Sequence, residues 1–203
     1  MSGPRRFDGF WAALDTVPVA DDAEALYSPA SAEGTLRREN LGRYLDAVGS
    51  GADMLLVAEA PGWRGMTNTG VPFTSMRELG PEYLVPPEPT APWEASSRVV
   101  QAALAEWRGP VPVAWAIFPH HPFAAPDRLT NRTPRPSEVR DGAPVALALL
   151  EALGSGGAVR VVAVGRKAQG ALALAGIDAI AVRHPAQGGA RQFTEQLLAL
   201  NRG

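Results

Sequence analysis

The sequence contains no cysteine, and of its 19 basic residues only Lys167 is a lysine. The missing thiols exclude disulfides, thiolate metal sites and a cysteine nucleophile, and they favour a cytoplasmic setting. No apolar run approaches the ~20 residues that a membrane span requires, so no membrane association is expected. The opening segment MSGPRRFDGFW lacks the long apolar core of a secretory signal. A phosphate-cradling P-loop is also missing. Gly165-Arg166-Lys167 lacks its spacing and reads as helix capping. The near-absence of lysine, with abundant Ala, Gly and Pro, suggests a GC-rich genome and carries no function by itself.

What is present describes a globular chain. At 203 residues, 46% hydrophobic and 20% charged, it should fold as one domain with a sizeable core. Residues 1–50 read as an N-terminal helical part and 51–203 as the core that bears the motifs. No internal repeat is visible, and a monomer is expected. The net charge of -2 looks poor for a nucleic-acid binder, but its distribution is uneven. Residues 1–59 carry 5 basic and 10 acidic groups, and residues 60–119 carry 4 and 5. Residues 120–203 carry 10 and 6, so the later part of the chain is positive.

Apolar spacing predicts helices over 8–15 and 36–48. Strand one is expected at Met54–Ala58, followed by a Pro-rich irregular span at 81–92. A helix at 93–107 and a second strand at 111–118 come next. Residues 119–135 form a long polar and Pro-rich loop of the kind that is usually functional or disordered. A helix should start near Pro136 and run to Leu153. A strand at 159–164, a helix to about Leu174, a strand at 179–182 and a final helix over about 191–200 complete the chain. This alternation predicts a parallel sheet with helices on both faces.

Three expected strands end in polar residues. The first delivers Glu59, the second Pro119-His120-His121, and the last His184. Ligands of open α/β sheets bind at the carboxyl ends of the strands. A carboxylate and an imidazole facing one cleft suit hydrolysis of a glycosidic bond. A metal is not expected, because adjacent His120 and His121 point to opposite sides of an extended chain. Glu59, His120 and His184 are the conceivable ligand trio. No cofactor is implied either.

Five short motifs sharpen the reading. They are Glu59-Ala60-Pro61-Gly62, then Gly70-Val71-Pro72-Phe73, Asn131-Arg132-Thr133-Pro134, Gly165-Arg166-Lys167-Ala168 and His184-Pro185-Ala186. In wording, order and spacing over about residues 53–200 they resemble the uracil-DNA glycosylase superfamily, nearest its EAPG branch. The resemblance implies a three-layer αβα sandwich around a four-stranded parallel sheet, as one glycosylase-like domain over 1–203. It also implies removal of a non-canonical pyrimidine from DNA, leaving an abasic site. Phe73 matches the aromatic that stacks on the flipped base. His184 matches the histidine that donates a hydrogen bond to the base O2. Glu59 either holds or activates the attacking water, stabilises the cationic sugar, or fixes its loop.

The chain departs from the family in three places. Gly62 stands where uracil-specific relatives place a tyrosine that blocks the C5 side of the base, and glycine is expected to leave that side open. Ala116 stands where relatives place an asparagine that reads the uracil edge, and alanine cannot do so. Asn131, His120 or His121 are the candidate replacements, and Phe118 is expected to line the same base pocket. The missing cysteines exclude the iron–sulfur cluster of many EAPG-branch enzymes. The favoured substrate is therefore a C5-modified pyrimidine. The superfamily has an anti-phage member acting on glucosylated hydroxymethylcytosine, and that member is the candidate for similarity to this chain. Uracil in base-excision repair is the alternative substrate. Action on free nucleosides and non-catalytic binding of damaged DNA are the rival functions.

DNA contacts are expected from the motif loops. Pro61, Pro185, Ala186, Gln187, Gly188 and Gly189 can offer backbone groups, and a helix start after Gly189 adds its dipole. Gln187 or Arg191 replaces the apolar wedge of relatives. Arg64, Arg132, Arg183 and Arg191 are the expected phosphate partners, with Arg132 alternatively pairing with Glu138. Binding through phosphates should weaken steeply as salt rises.

Overall fold

A computed structural model describes residues 5–89, 93–154 and 157–201. Its centre is Met54-Leu55-Leu56-Val57, each with no exposed surface. A strand covered on both faces reads as a continuous apolar run, and this one does. It forms β2 (Met54–Ala58), preceded by α1 (Asp8–Leu14), β1 (Ala23–Glu24) and α2 (Ala32–Val48). After it come α3 (Met66–Thr69), α4 (Ala95–Ala105), β3 (Val113–Ala116) and β4 (His121–Pro122). The chain ends with α5 (Pro136–Leu153), β5 (Arg160–Val164), α6 (Arg166–Leu174), β6 (Ile180–Val182) and α7 (Ala190–Leu200).

Four strands make one parallel sheet in the order β3-β2-β5-β6. Successive side chains alternate between its faces. Leu55, Val57, Val113, Trp115 and Ala163 join α1, α2, α5 and α6 in one apolar cluster. Met54, Leu56, Ala114, Val162 and Val164 join α4 and α7 in the other. Two clusters on opposite faces of one sheet are the αβα sandwich expected from the alternating pattern.

The differences from expectation lie outside the sheet. The second helix begins at Ala32, because Ser31 caps it by accepting the Gly34 N–H at 3.0 Å. The short helix α3 interrupts the loop after β2. Part of the expected 119–135 loop is used by β4, which pairs antiparallel with β1. Of the irregular span at 81–92, residues 90–92 lie outside the described residues. Strand β3 is shorter than expected at both ends. Helix α5 starts as foreseen, with Pro136 in its first turn and Glu138 accepting the Arg135 N–H at 2.7 Å.

Strand order fixes where a ligand should sit. From β2 the connection leads to β3 on one side, and from β5 it leads to β6 on the other. The crevice between the carboxyl ends of β2 and β5 is thus the topological switch point.

Candidate active site

Glu59 follows β2 directly, and Gly165-Arg166-Lys167 follows β5. Their side chains straddle the switch point, with Lys167 Nζ 3.8 Å from Glu59 Oε2. Lys167 also donates to Thr133 Oγ1 at 2.7 Å, which ties the loop before α5 to the crevice. Burial pushes the Glu59 carboxyl above its usual range, and Lys167 opposes the shift.

His184 follows β6 and is half-buried. Its Nδ1 accepts the Ala186 N–H at 3.1 Å, which assigns the proton of the neutral ring to Nε2. Burial, then Arg183 and Lys167, hold its pKa below the usual value, so the neutral donor form prevails near pH 7. Gly165 makes the position accessible. Its φ is +90°, and a Cβ there would lie 2.8 Å from the His184 Cβ. Glu59 and His184 therefore share one edge of the sheet, on strands flanking β5, and both feel Lys167.

Phe73 is half-buried beside the second apolar cluster, with φ +48°. A bulky side chain at positive φ is strained, and such strain persists only where neighbours impose it. Here Gln101 of α4 holds the Phe73 carbonyl at 3.2 Å and Thr74 Oγ1 at 3.1 Å. Thr69 Oγ1 grips Thr74 O at 2.8 Å from the other side. Gln187, in the loop after His184, also has positive φ, at +53°.

The expected opening beside Gly62 is absent, and this corrects the sequence reading. Glu94, at the start of α4, fills that space. A Cβ at position 62 would lie 2.9 Å from Glu94 Oε1, and one at Gly65 would also collide with this carboxylate. Ser97 donates to Glu94 Oε2 at 2.9 Å. Burial raises the Glu94 pKa, against the Ser97 hydrogen bond. Sequence reasoning missed Glu94. Its only trace is the Gly62-x-x-Gly65 spacing, which leaves room for a side chain from elsewhere.

Asn131 reaches the same place. Its Oδ1 accepts the Trp63 N–H at 3.1 Å and faces His121 Nε2 at 3.3 Å. His121 Nε2 also meets the Thr130 carbonyl at 2.9 Å, so this nitrogen carries the proton. Two donors on the oxygen side orient the amide, and Nδ2 turns toward Gly62, 3.9 Å from where a Cβ would stand. Only Arg132 separates Asn131 from Thr133, an extended span of about 7 Å. The Glu94–Asn131 pair and the Glu59–Lys167 pair are thus joined by one short stretch of chain.

Four further expectations need correction. Arg132 is not a phosphate ligand. Its guanidinium binds Asp22 (2.9 Å) and Glu138 (2.6 Å), and its side chain is 16% exposed. The alternative pairing with Glu138 is the one observed. Ala116 and Phe118 are packed in the core at 1% and 0% exposure, because the β2–β3 pairing runs on past the strands and carries both inward. They offer no wall to a base. His120 is 5% exposed and neither ring nitrogen finds a hydrogen-bond partner. Burial pushes its pKa down to about 4, against the Val17 backbone. It is a neutral core residue at neutral pH.

Arg64, Arg183 and Arg191 are exposed. Arg64 lies over the Trp63 ring at 4.5 Å, and Arg191 is 3.9 Å from Glu195. Pro61, Pro185 and Gly189 are buried under the site loops, whereas Ala186 is half-buried and Gln187 and Gly188 are exposed. Among the described residues no cluster of three or more His, Cys, Asp or Glu side chains can hold a metal. No helix of the described residues is long and apolar enough to cross a membrane. A cavity of about 610 Å³, lined by Arg37, Trp63, Asn68, His121 and Arg128 among others, lies to one side. Neither Glu59 nor His184 borders it.

The Arg132 cluster has a testable consequence. Arg132→Ala removes the shorter of the two guanidinium contacts of the buried Glu138 carboxylate, leaving Arg135, and is expected to cost about 3 kcal/mol of folding stability by urea denaturation. The Arg135 and Arg132 hydrogen bonds hold the Asp22 carboxyl well below its usual range. For Glu138, burial opposes the shift, but the Arg132 and Arg135 hydrogen bonds prevail and the pKa is lowered. These groups contribute stability above the ordinary carboxyl range, and it is lost as pH falls through their depressed values. The variant's deficit should shrink accordingly in acid.

No protein-family model matches the chain, and no curated protein matches it in sequence. Its fold is similar to that of the solved structure of Pedobacter heparinus SMUG2. The two are 15% identical with a TM-score of 0.63, over 98% of this chain and 99% of that one. At this identity the likeness concerns the fold alone, the αβα sandwich described above.

Proposed function

We propose that the protein is a DNA N-glycosylase that hydrolyses the N-glycosidic bond of an extruded pyrimidine and leaves an abasic site. What supports this reading is that Glu59 follows β2 and His184 follows β6 at one edge of the sheet, with Lys167 acting on both the half-buried carboxylate and the imidazole, whose Nε2 is free to donate. A base inside a duplex is out of reach, so it is flipped into the cleft at a cost of a few kcal/mol. Stacking on Phe73 returns ~1–3 kcal/mol. Bond cleavage puts negative charge on the base and positive charge on the sugar. His184 donates to the base O2 as that charge grows, and an interaction strengthened in the transition state accelerates the step. Glu59 faces the sugar, stabilises its positive charge and takes a proton from the attacking water.

Base choice follows from Glu94 and Asn131. The Glu94 carboxylate accepts hydrogen bonds, and the Asn131 Nδ2 amide donates them. A cytosine-type edge presents the complement, an amino donor at C4 and an acceptor at N3. Uracil presents the reverse. A hydroxymethyl group at C5 adds a second donor beside the amino group, matching the two oxygens of one carboxylate. The favoured substrate is therefore hydroxymethylcytosine; its glucosylated form lacks that hydroxyl proton and would have to displace Glu94 from beside Gly62. The raised Glu94 pKa supports uracil as the second reading, because a protonated Glu94 donates to O4.

Oligonucleotides carrying hydroxymethylcytosine, its glucosylated form or uracil, followed by alkaline cleavage at abasic sites, test the proposal. Release of the modified cytosine is expected to exceed release of uracil. Efficient uracil release without action on the modified DNA overturns the substrate assignment. Equal release from mononucleosides would reject DNA as the substrate. Binding without release would make the protein a damage binder.

A further inference from the structure

We propose that Lys167 gives the protein a second activity, cleavage of the strand at an abasic site by β-elimination through a Schiff base. This rests on the reading of the crevice as the place where a deoxyribose C1′ sits. Lys167 is the sole lysine of the chain, which otherwise uses arginine for every basic side chain. Arginine serves ion pairs and phosphates well, but its guanidinium stays protonated in proteins and is no nucleophile. The one side chain that can lose a proton and attack a carbonyl stands in the candidate active site. Its Nζ is 3.8 Å from Glu59 Oε2 and its side chain is 69% exposed, so it is accessible to DNA. The carboxylate that would direct water to C1′ and the amine that can replace water there occupy the same few ångströms. Thr133 Oγ1, 2.7 Å from Nζ, holds the amine at the crevice.

The chemistry balances without an oxidant or reductant. Lys167 gives a proton to the Glu59 carboxylate, whose pKa burial already raises. The Nζ lone pair attacks C1′ of the ring-opened sugar aldehyde, forming a C–N bond while the carbonyl oxygen takes a proton. The carbinolamine loses water and becomes a protonated imine. Glu59, having passed its proton to the carbonyl oxygen and become a carboxylate again, removes a proton from C2′. The electron pair of that C–H bond moves into a new double bond, and the 3′ phosphate leaves with the C3′–O electrons. Water then hydrolyses the C=N bond, which frees the amine and leaves an unsaturated aldehyde on the 3′ end of the upstream strand.

The test uses the full chain and a duplex with a preformed abasic site, in the presence of sodium borohydride. The reductant converts the imine to a stable amine, so a covalent protein–DNA adduct is expected on a denaturing gel. Peptide mapping should place the sugar remnant on Lys167. Lys167→Arg keeps the charge and removes the nucleophile. It should lower the adduct and the strand nick at least tenfold while still binding abasic DNA in a gel-shift assay. No adduct with the unaltered protein, or an undiminished adduct with Lys167→Arg, overturns the proposal. The substrate needs no base release, so this test is independent of the glycosylase assay. Adduct formation without release of any base would support this inference and count against the glycosylase reading.

Discussion

His184→Ala is expected to lower base release by about 10²–10³-fold under single-turnover conditions, the usual effect of losing one donor to a developing anion. Affinity for the same DNA should change little, because the lost contact matters chiefly in the transition state. This effect depends on the tautomer of the ring. The Ala186 N–H occupies Nδ1, so Nε2 carries the proton that the base needs. Burial, Arg183 and Lys167 disfavour the imidazolium, so donation does not require a charged ring. Glu59→Gln should cost a comparable factor and should also change the pH profile. With the native carboxylate, burial raises the pKa, and release should climb as pH rises through that elevated value. The glutamine variant should lose this acid limb. Unchanged release in either variant would remove the catalytic assignment.

The sheet was readable from sequence because its strands are apolar on both faces and end in abrupt polar motifs. Strand β2 matches its expected limits at Met54–Ala58, and β5 and β6 begin one residue late. Glu59 and His184 were readable for the same reason. A strand end is a fixed address, and parallel strands gather such addresses on one edge. Of the two residues proposed to read the base, Asn131 was named from sequence and Glu94 was not, since its position depends on how loops fold over that edge. Glu94 comes from the start of α4 and occupies space that two glycines merely vacate. Asn131 gains its orientation from His121 and from the Trp63 backbone, 68 positions away for the latter. Arg132 sits beside Asn131 in the same motif, yet its neighbours in space are Asp22 and Glu138. Asp22 comes from the N-terminal part, where no motif pointed. Ala116 was placed in the pocket by alignment of motifs, whereas the continued β2–β3 pairing draws it into the core. Loop folding, long-range ion pairs and continued strand pairing thus account for the errors at the site.

Glu94→Gln is expected to shift discrimination between cytosine-type bases and uracil by about 10- to 100-fold in favour of uracil. A hydrogen bond involving a charged group is worth about 1.5–3 kcal/mol, and each 1.4 kcal/mol is a factor of ten. The Ser97 hydroxyl donates to Oε2 and can keep that contact with the amide oxygen of glutamine. The amide nitrogen then takes the Oε1 position beside Gly62, where it donates instead of accepts. A C4 amino group would face a donor, and a C4 carbonyl would gain one. Competing release of the two bases from one mixed pool of oligonucleotides measures the ratio directly. Gly62→Ala supplies an independent check. Its Cβ would lie 2.9 Å from Glu94 Oε1 and must displace the carboxylate. It should therefore also weaken selection for the amino group, without adding a donor for uracil. A ratio unmoved by both substitutions would show that the carboxylate does not face the base, and recognition would have to fall to Asn131 and the backbone of the Pro61-Gly62 turn.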